Sequence, residues 1–364
     1  MSNIVTCEQV SRGHVDKICD QISDAIVTDC LQHDRDSRVA VECLIKNNTV
    51  VIAGEVTSKH EPNYPRLVGR ILNRVGIASQ YNRVNVKTLI SRQSPDIAQG
   101  VDKGGAGDQG VMYGYATNET PELLPIPFAV ATRFIKLLRE VNAPMLLSDA
   151  KAQVSYDYET GRITTFLCSV QHTADSEVEE FRSIIESLMM LTAAEYGLNA
   201  DFEKLINPTG RFVVGGSLAD CGVTGRKLAC DTYGGIGRIG GGALSGKDPS
   251  KVDRSGAYMA RKIAVDLVTG GYCDKCEVQI AYAIGKAEPV SVSVDTFGTA
   301  RCCPRCIDKY VEANYDLTPH GIIKFLHLLD VDYNDVSSGG HFGKDWLPWE
   351  IDEEMADAIY GSKE

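Results

Sequence analysis

The chain has 364 residues, 43% of them hydrophobic and 24% charged, with a formal net charge of -12. That length suits two or three domains with real cores, and the acidic balance excludes a general nucleic-acid binder, which needs clustered Lys and Arg over a broad surface. The opening residues have no apolar core of signal-peptide length, and no uninterrupted apolar run is long enough to span a bilayer. A cytoplasmic protein without a membrane partner is therefore expected, with its twelve cysteines as reduced thiols.

Near the start, Ser11-Arg12-Gly13-His14-Val15-Asp16-Lys17 sets an imidazole, a carboxylate and an ammonium at a helix N-terminus, an arrangement suited to an anion and a metal. Residues 16–31 place Ile18, Ile22, Ala25, Ile26 and Leu31 at helical spacing with acids on the other face, which predicts an amphipathic helix. Alternating runs over 39–45 and 50–55 read as a hairpin. Glu42 shares a face with Ala40 and Leu44, and an acid among apolar neighbours calls for a basic group or a cation. A short helix over 64–76 and a strand over 84–91 follow, and the polar, glycine-rich connection from Gln93 to Gly110 reads as a boundary loop or lid. Next come a helix near 128–141, a second hairpin from 152–158 and 162–170, and a helix over 176–194.

Residues 231–254 carry the strongest ligand signal. Seven of the thirteen residues from 234 to 246 are glycine, and Lys247, Asp248, Lys251, Asp253 and Arg254 follow at once. Glycine permits close backbone approach, and with the adjoining ammonium groups the stretch predicts an oxyanion cradle, phosphate above all. Residues 235–240 spell GxGxxG, but Asp253 is thirteen residues on, where a dinucleotide fold places its acid about twenty residues on. Residues 241–247 spell GxxxxGK, yet Asp248 stands where a P-loop places Ser or Thr. A helix over 252–268, a third hairpin from 276–284 and 290–297, and helices near 304–314 and 319–329 complete the chain. Three hairpins flanked by helices predict an α+β protein of three similar units, with domains at 1–100, 104–216 and 217–355, the last holding the glycine-rich loop.

Taken as a set, residues 13–17 (GHVDK), 105–110 (GAGDQG), 115–120 (YATNET), 149–151 (DAK), 207–212 (NPTGRF), 220–222 (DCG), 224–227 (TGRK) and 231–254 closely resemble the S-adenosylmethionine synthetase (methionine adenosyltransferase) family, in the family's order. The resemblance implies a three-domain fold with pseudo-threefold symmetry, and a homodimer, often paired into a homotetramer, with active sites between subunits. It implies ATP and L-methionine as substrates. The sulfur attacks the ribose C5′ and expels triphosphate, which is then hydrolysed to phosphate and pyrophosphate. Such a leaving group needs preorganised cations to meet its charge, whereas sulfur is a competent nucleophile without a general base, so positioning carries much of the rate.

By the same resemblance, His14 lies at the departing oxygen, stabilising or protonating it. Lys151, Arg226, Lys227, Lys247 and Lys251 hold phosphates, and His14, Lys151, Arg226 and Lys247 form the catalytic group. Asp16 and Asp253 ligate magnesium, two ions per site, and Glu42 meets potassium. Glu55, Gln93 and Asp220, with Lys251, hold methionine; Asp108 and Asp149 lie near the ribose; Phe212 stacks on adenine.

The chain departs from the family's usual Ser-Glu-Gly-His-Pro-Asp-Lys at Arg12 and Val15, and Arg12 is expected to reverse a charge beside the triphosphate site. The segment from Asp102 to Gly105 is shorter than in many members. Cys273 and Cys276 stand at the start of the third hairpin and Cys303 and Cys306 just past its end, a spacing that suits zinc if the hairpin brings the pairs together. Reduced structural thiols are expected instead, because Cys276 falls in a strand.

Overall fold

The structure, a computed structural model, describes residues 3–78, 83–93 and 104–361; residues 94–103, most of the proposed lid, lie outside them. The chain makes three passes of one pattern, a strand, a helix, an antiparallel hairpin and a second helix. The first pass is β1 (Ile4–Val10), α1 (Val15–His33), β2 (Arg38–Lys46), β3 (Thr49–Thr57), α2 (Tyr64–Arg74) and β4 (Asn85–Ser91). The second is β5 (Gly110–Thr117), α3 (Ile126–Glu140), β6 (Leu146–Asp157), β7 (Arg162–His172), α4 (Val178–Glu195) and β8 (Glu203–Ile206). The third is β9 (Gly222–Val223), α5 (Val252–Thr269), β10 (Lys275–Tyr282), β11 (Ser291–Asp295) and α6 (Pro304–Asn314), followed by α7 (Pro319–Phe325) and α8 (Glu353–Tyr360).

In every pass the opening strand leaves its own hairpin for another. β1 pairs with β6, β5 with β10 and β9 with β2, all antiparallel, while β4 and β8 return parallel to β3 and β7. The sheets are therefore β4-β3-β2-β9, β1-β6-β7-β8 and β11-β10-β5. This cyclic exchange interlocks the three similar α+β units, and helices cover one face of each sheet. The helix predicted to run to 329 stops at Phe325, where the chain turns and His327 takes a positive φ of 47°. Among the described residues no helix is long and apolar enough to cross a membrane.

One continuous core joins the first and third sheets through α1 and α5, and a second serves α3, α4 and the β6–β7 hairpin. The acidic face of α1 is not solvated. Asp16, Asp20 and Asp24 are buried along with Ile18, Ile22 and Ile26, and such acids need partners. Arg254 on α5 supplies one, its Nη2 lying 2.6 Å from Asp24 Oδ1.

Glu42 corrects the expectation built on it. Ala40, Glu42 and Leu44 do share one face of β2, but that face is open, with Glu42 exposed and Leu44 and Leu89 exposed at 39% and 68%. Alternation assigned the shared face and could not say that, among the described residues, its Glu42 and Leu44 positions are left exposed.

Candidate active site

The predicted residues fall into two groups. The first surrounds the N-terminus of α1. His14 is the N-cap, its Nδ1 accepting the Asp16 backbone N–H at 3.2 Å, so the neutral imidazole carries its proton on Nε2. Burial, then the charges of Lys227 and Lys151, push its pKa down to about 3, with Asp16 and Asp220 opposing. His14 is accordingly an uncharged N–H donor at neutral pH.

Asp16 receives the Val223 N–H from β9 at 2.9 Å on Oδ1 and the Lys227 ammonium at 2.8 Å on Oδ2. Burial alone would raise its pKa, but these two bonds and the charge of Lys227 outweigh it and hold the carboxyl below its ordinary value. Asp149, on β6, accepts the Gly216 N–H at 2.8 Å, and its pKa is raised by burial against that bond and the charge of Lys151. Lys151, Asp220 and Arg226 are exposed at the rim, and Phe212 is half-buried, its backbone paired with His172. Strand exchange assembles this group: α1 brings His14 and Asp16, β6 brings Asp149 and Lys151, and the segment through β9 brings Asp220 and Lys227.

Lys17 lies in the same motif but belongs to the core. Its ammonium donates to Asp231 and stands 2.9 Å from Asp20 Oδ2, with all three side chains at most 1% exposed. Burial works against its charge, yet the adjoining carboxylates outweigh burial and raise its pKa. Three buried acids, Asp20, Asp24 and Asp231, face two cations, Lys17 and Arg254. The surplus negative charge is relieved by proton uptake: burial, reinforced by Asp20 and Asp24, raises Asp231 to about 7 although Lys17 opposes it. Lys17 thus ties α1 to the head of the glycine-rich stretch.

The second group lines a cleft of about 370 Å³ containing Glu55, Gln93, Asp108, Lys247, Lys251 and Asp253. Lys247 Nζ lies 2.7 Å from Asp253 Oδ2, and Lys251 Nζ lies 2.7 Å from Asp248 Oδ2. Asp248 is buried and also accepts the Val39 N–H at 2.6 Å, which fixes the loop to β2. Two glycines permit that close packing. Gly54 (φ +137°) and Gly246 (φ +84°) both press on β2, where a Cβ would stand 2.1 Å from the carbonyl oxygens of Ala40 and Val41 respectively. Their neighbours Glu55 and Lys247 are thereby set into the cleft. Arg38 and Arg92 also line it and were missed; Arg38 was traceable, because it precedes Ala40 by two residues and so shares its face.

The two groups meet different stretches of β2, the cleft at Ala40 and β9 at Leu44. Four residues of strand separate these contacts by about 13 Å. A larger cavity, about 520 Å³, holds none of the predicted residues, but it takes Arg12 together with Arg139 and Lys344. Arg12 therefore projects into this cavity and not at the phosphate group, which corrects the expectation drawn from its position next to Gly13. Burial, then Arg139 and Arg74, lower its guanidinium to about 10 against Asp335. All twelve cysteines are free thiols, with Cys273 and Cys276 buried and Cys303 and Cys306 exposed. Among the described residues, no cysteine belongs to a group of three potential metal ligands.

This chain matches the S-adenosylmethionine synthetase N-terminal domain over residues 2–95, the central domain over 103–212 and the C-terminal domain over 214–351. It is 44% identical over 367 residues to a protein of Mesoplasma florum named S-adenosylmethionine synthase, covering 96% of this chain and 97% of that protein. It is also 44% identical over 383 residues to a protein of the same name from Desulfosudis oleivorans, covering 99% of this chain and 98% of the other. The chain belongs to the S-adenosylmethionine synthetase family.

Proposed function

We propose that this protein is a methionine adenosyltransferase that makes S-adenosylmethionine from ATP and L-methionine. The sulfur attacks the ribose C5′, and the triphosphate leaves and is then hydrolysed to phosphate and pyrophosphate. The observation that carries this reading is the geometry of His14, whose Nδ1 accepts the Asp16 backbone N–H and so leaves Nε2–H as a donor without a partner among the described residues, beside the Asp16–Lys227 pair. A donor of this kind stabilises a departing phosphate oxygen by a hydrogen bond, and of the two roles implied for His14 this is the one its protonation state favours. Lys151, Arg226 and Lys227 serve the polyphosphate from the first group, and Lys247 and Lys251 from the cleft.

Asp16 and Asp253 offer the hard carboxylate oxygens that magnesium prefers, and the ammonium now on one oxygen of each, Lys227 and Lys247, would pass to the phosphates when the ion binds. When bound, the two ions supply charge neutralisation to the leaving triphosphate. Glu55, Gln93 and Lys251 serve methionine from the cleft and Asp220 from the first group, Asp108 and Asp149 the ribose, and Phe212 the adenine. The separation of the groups along β2 favours a homodimer, paired further or not, in which one chain's His14 group completes the other's cleft. The open face bearing Leu44 and Leu89 is apolar enough to be covered, and Glu42 on that face would meet potassium once it is.

The test is to incubate the purified protein with ATP, methionine, magnesium and potassium and to quantify S-adenosylmethionine, phosphate and pyrophosphate together. Equal yields of the three are expected, and His14→Ala is expected to lose S-adenosylmethionine formation while remaining folded. Phosphate release without S-adenosylmethionine would instead indicate a triphosphatase, and near-normal turnover by His14→Ala would remove its assigned role.

A further inference from the structure

We propose that Asp29, His33 and His60 form a binding site for a divalent first-row transition-metal ion of the zinc, cobalt and nickel class. The three sit at the end of α1 opposite His14. The helix has 19 residues, a length of about 28 Å, so this site is separate from the His14 group, and none of its three residues lines the Lys247 cleft. Asp29 and His33 are four residues apart and share one helix face. His60 comes from the loop after β3, and its ring stacks on that of His33 with centroids 4.0 Å apart and planes at 9°.

The potential ligand atoms of the trio all lie within 4.8 Å of one another. Bonds of about 2.0–2.1 Å to a tetrahedral ion put ligand atoms about 3.4 Å apart, so small side-chain rotations close the site. His60 Nε2 donates to Asp29 Oδ2 at 2.8 Å, a hydrogen bond whose proton a bound ion would displace.

The surroundings prepare the ligands. His33 Nδ1 lies 2.8 Å from the Asp29 carbonyl oxygen. Only a protonated Nδ1 can bond there, which leaves the Nε2 lone pair free, and orientation of a ligating histidine through its other nitrogen is a recurrent feature of metal sites. The loop bearing His60 is pinned: the Lys59 N–H donates to Asp34 Oδ2 at 2.8 Å, the His60 N–H to Ser58 Oγ at 3.0 Å, and Ser58 Oγ is bonded to Ser37 at 2.8 Å. The C-terminal end of α1 adds the negative end of the helix dipole. Two imidazoles and one carboxylate select zinc, cobalt or nickel over magnesium, which prefers an all-oxygen shell. His33 is exposed while Asp29 and His60 are half-buried, so water can complete the coordination.

Metal-stripped full-length protein titrated with Co2+ in the presence of millimolar Mg2+, which occupies the Asp16 and Asp253 carboxylates, is expected to bind one ion per chain with the weak d–d absorption of nitrogen and oxygen ligation. Zn2+ should displace it, and millimolar Mg2+ should not. His60→Ala and His33→Gln should each weaken binding about tenfold or more. His33 is exposed, so its replacement leaves the core intact and separates loss of a ligand from loss of folding. Binding unchanged in both variants, displacement by Mg2+, or intense thiolate charge-transfer absorption from the cysteine pairs would each overturn the assignment.

Discussion

Lys17→Met is expected to damage folding and not ATP recognition. The replacement keeps the length and the apolar stem but removes the cation facing Asp20 and Asp231, at a place where the lysine side chain is 1% exposed. Removing one partner of a buried ion pair costs about 3–5 kcal/mol, because the remaining charge is left desolvated. Proton uptake limits that cost in a way that fixes its pH dependence. Asp231 is already raised to about 7, with Lys17 holding it down against burial and the neighbouring acids. A carboxyl whose folded pKa is raised contributes stability that is present below its unfolded pKa and lost as pH climbs through the folded value. Without Lys17 the folded pKa moves higher, so the variant keeps losing stability above pH 7 where the parent has stopped. The gap should widen by about 1.4 kcal/mol per pH unit while only the variant titrates. Urea unfolding at pH 6, 7.5 and 9 measures this directly. A deficit under about 1 kcal/mol at pH 7.5, or one that narrows as pH rises, would refute the role given to Lys17, as would a raised KM for ATP in a fully stable variant.

Arg12→Glu should leave the KM for ATP within about twofold, because the side chain lines the cavity with Arg139, which neither Lys151 nor Lys227 lines, and the charges it feels most are Arg139, Arg74 and Asp335; steady-state kinetics at varied ATP checks it. Gly246→Ala should lower stability by about 1–3 kcal/mol, since φ is +84° and the new Cβ meets the Val41 carbonyl oxygen, and it should lower kcat/KM by displacing Lys247. Thermal unfolding and turnover measured together test both halves of that expectation. The profile of kcat/KM between pH 5.5 and 8 should show no protonation of His14 in the free enzyme, because its pKa is depressed to about 3 and the imidazole stays neutral throughout. An acid limb near pH 6.5 that vanishes in His14→Ala would contradict this.

Hairpins and long helices were readable from the sequence because their signals are local. Alternation marked β2–β3, β6–β7 and β10–β11, and 3.6-residue spacing marked α1 and α5. The motifs that carry the family likeness were equally visible as short runs of residues. Tertiary structure alone decided the exchange of β1, β5 and β9, whose partners are other hairpins far along the chain. It also decided that the acids of α1 are buried against Lys17 and Arg254, since periodicity reports which residues share a face and not what covers it. For the same reason Glu42 proved exposed, Arg12 turned into a separate cavity, and the candidate site divided into a His14 group and a Lys247 cleft. The meeting of His60 with Asp29 and His33 depends on where the loop after β3 comes to rest on α1. Residue type and spacing determine what chemistry a segment can offer, but juxtaposition is set by long-range packing, and that becomes definite only when the whole core closes.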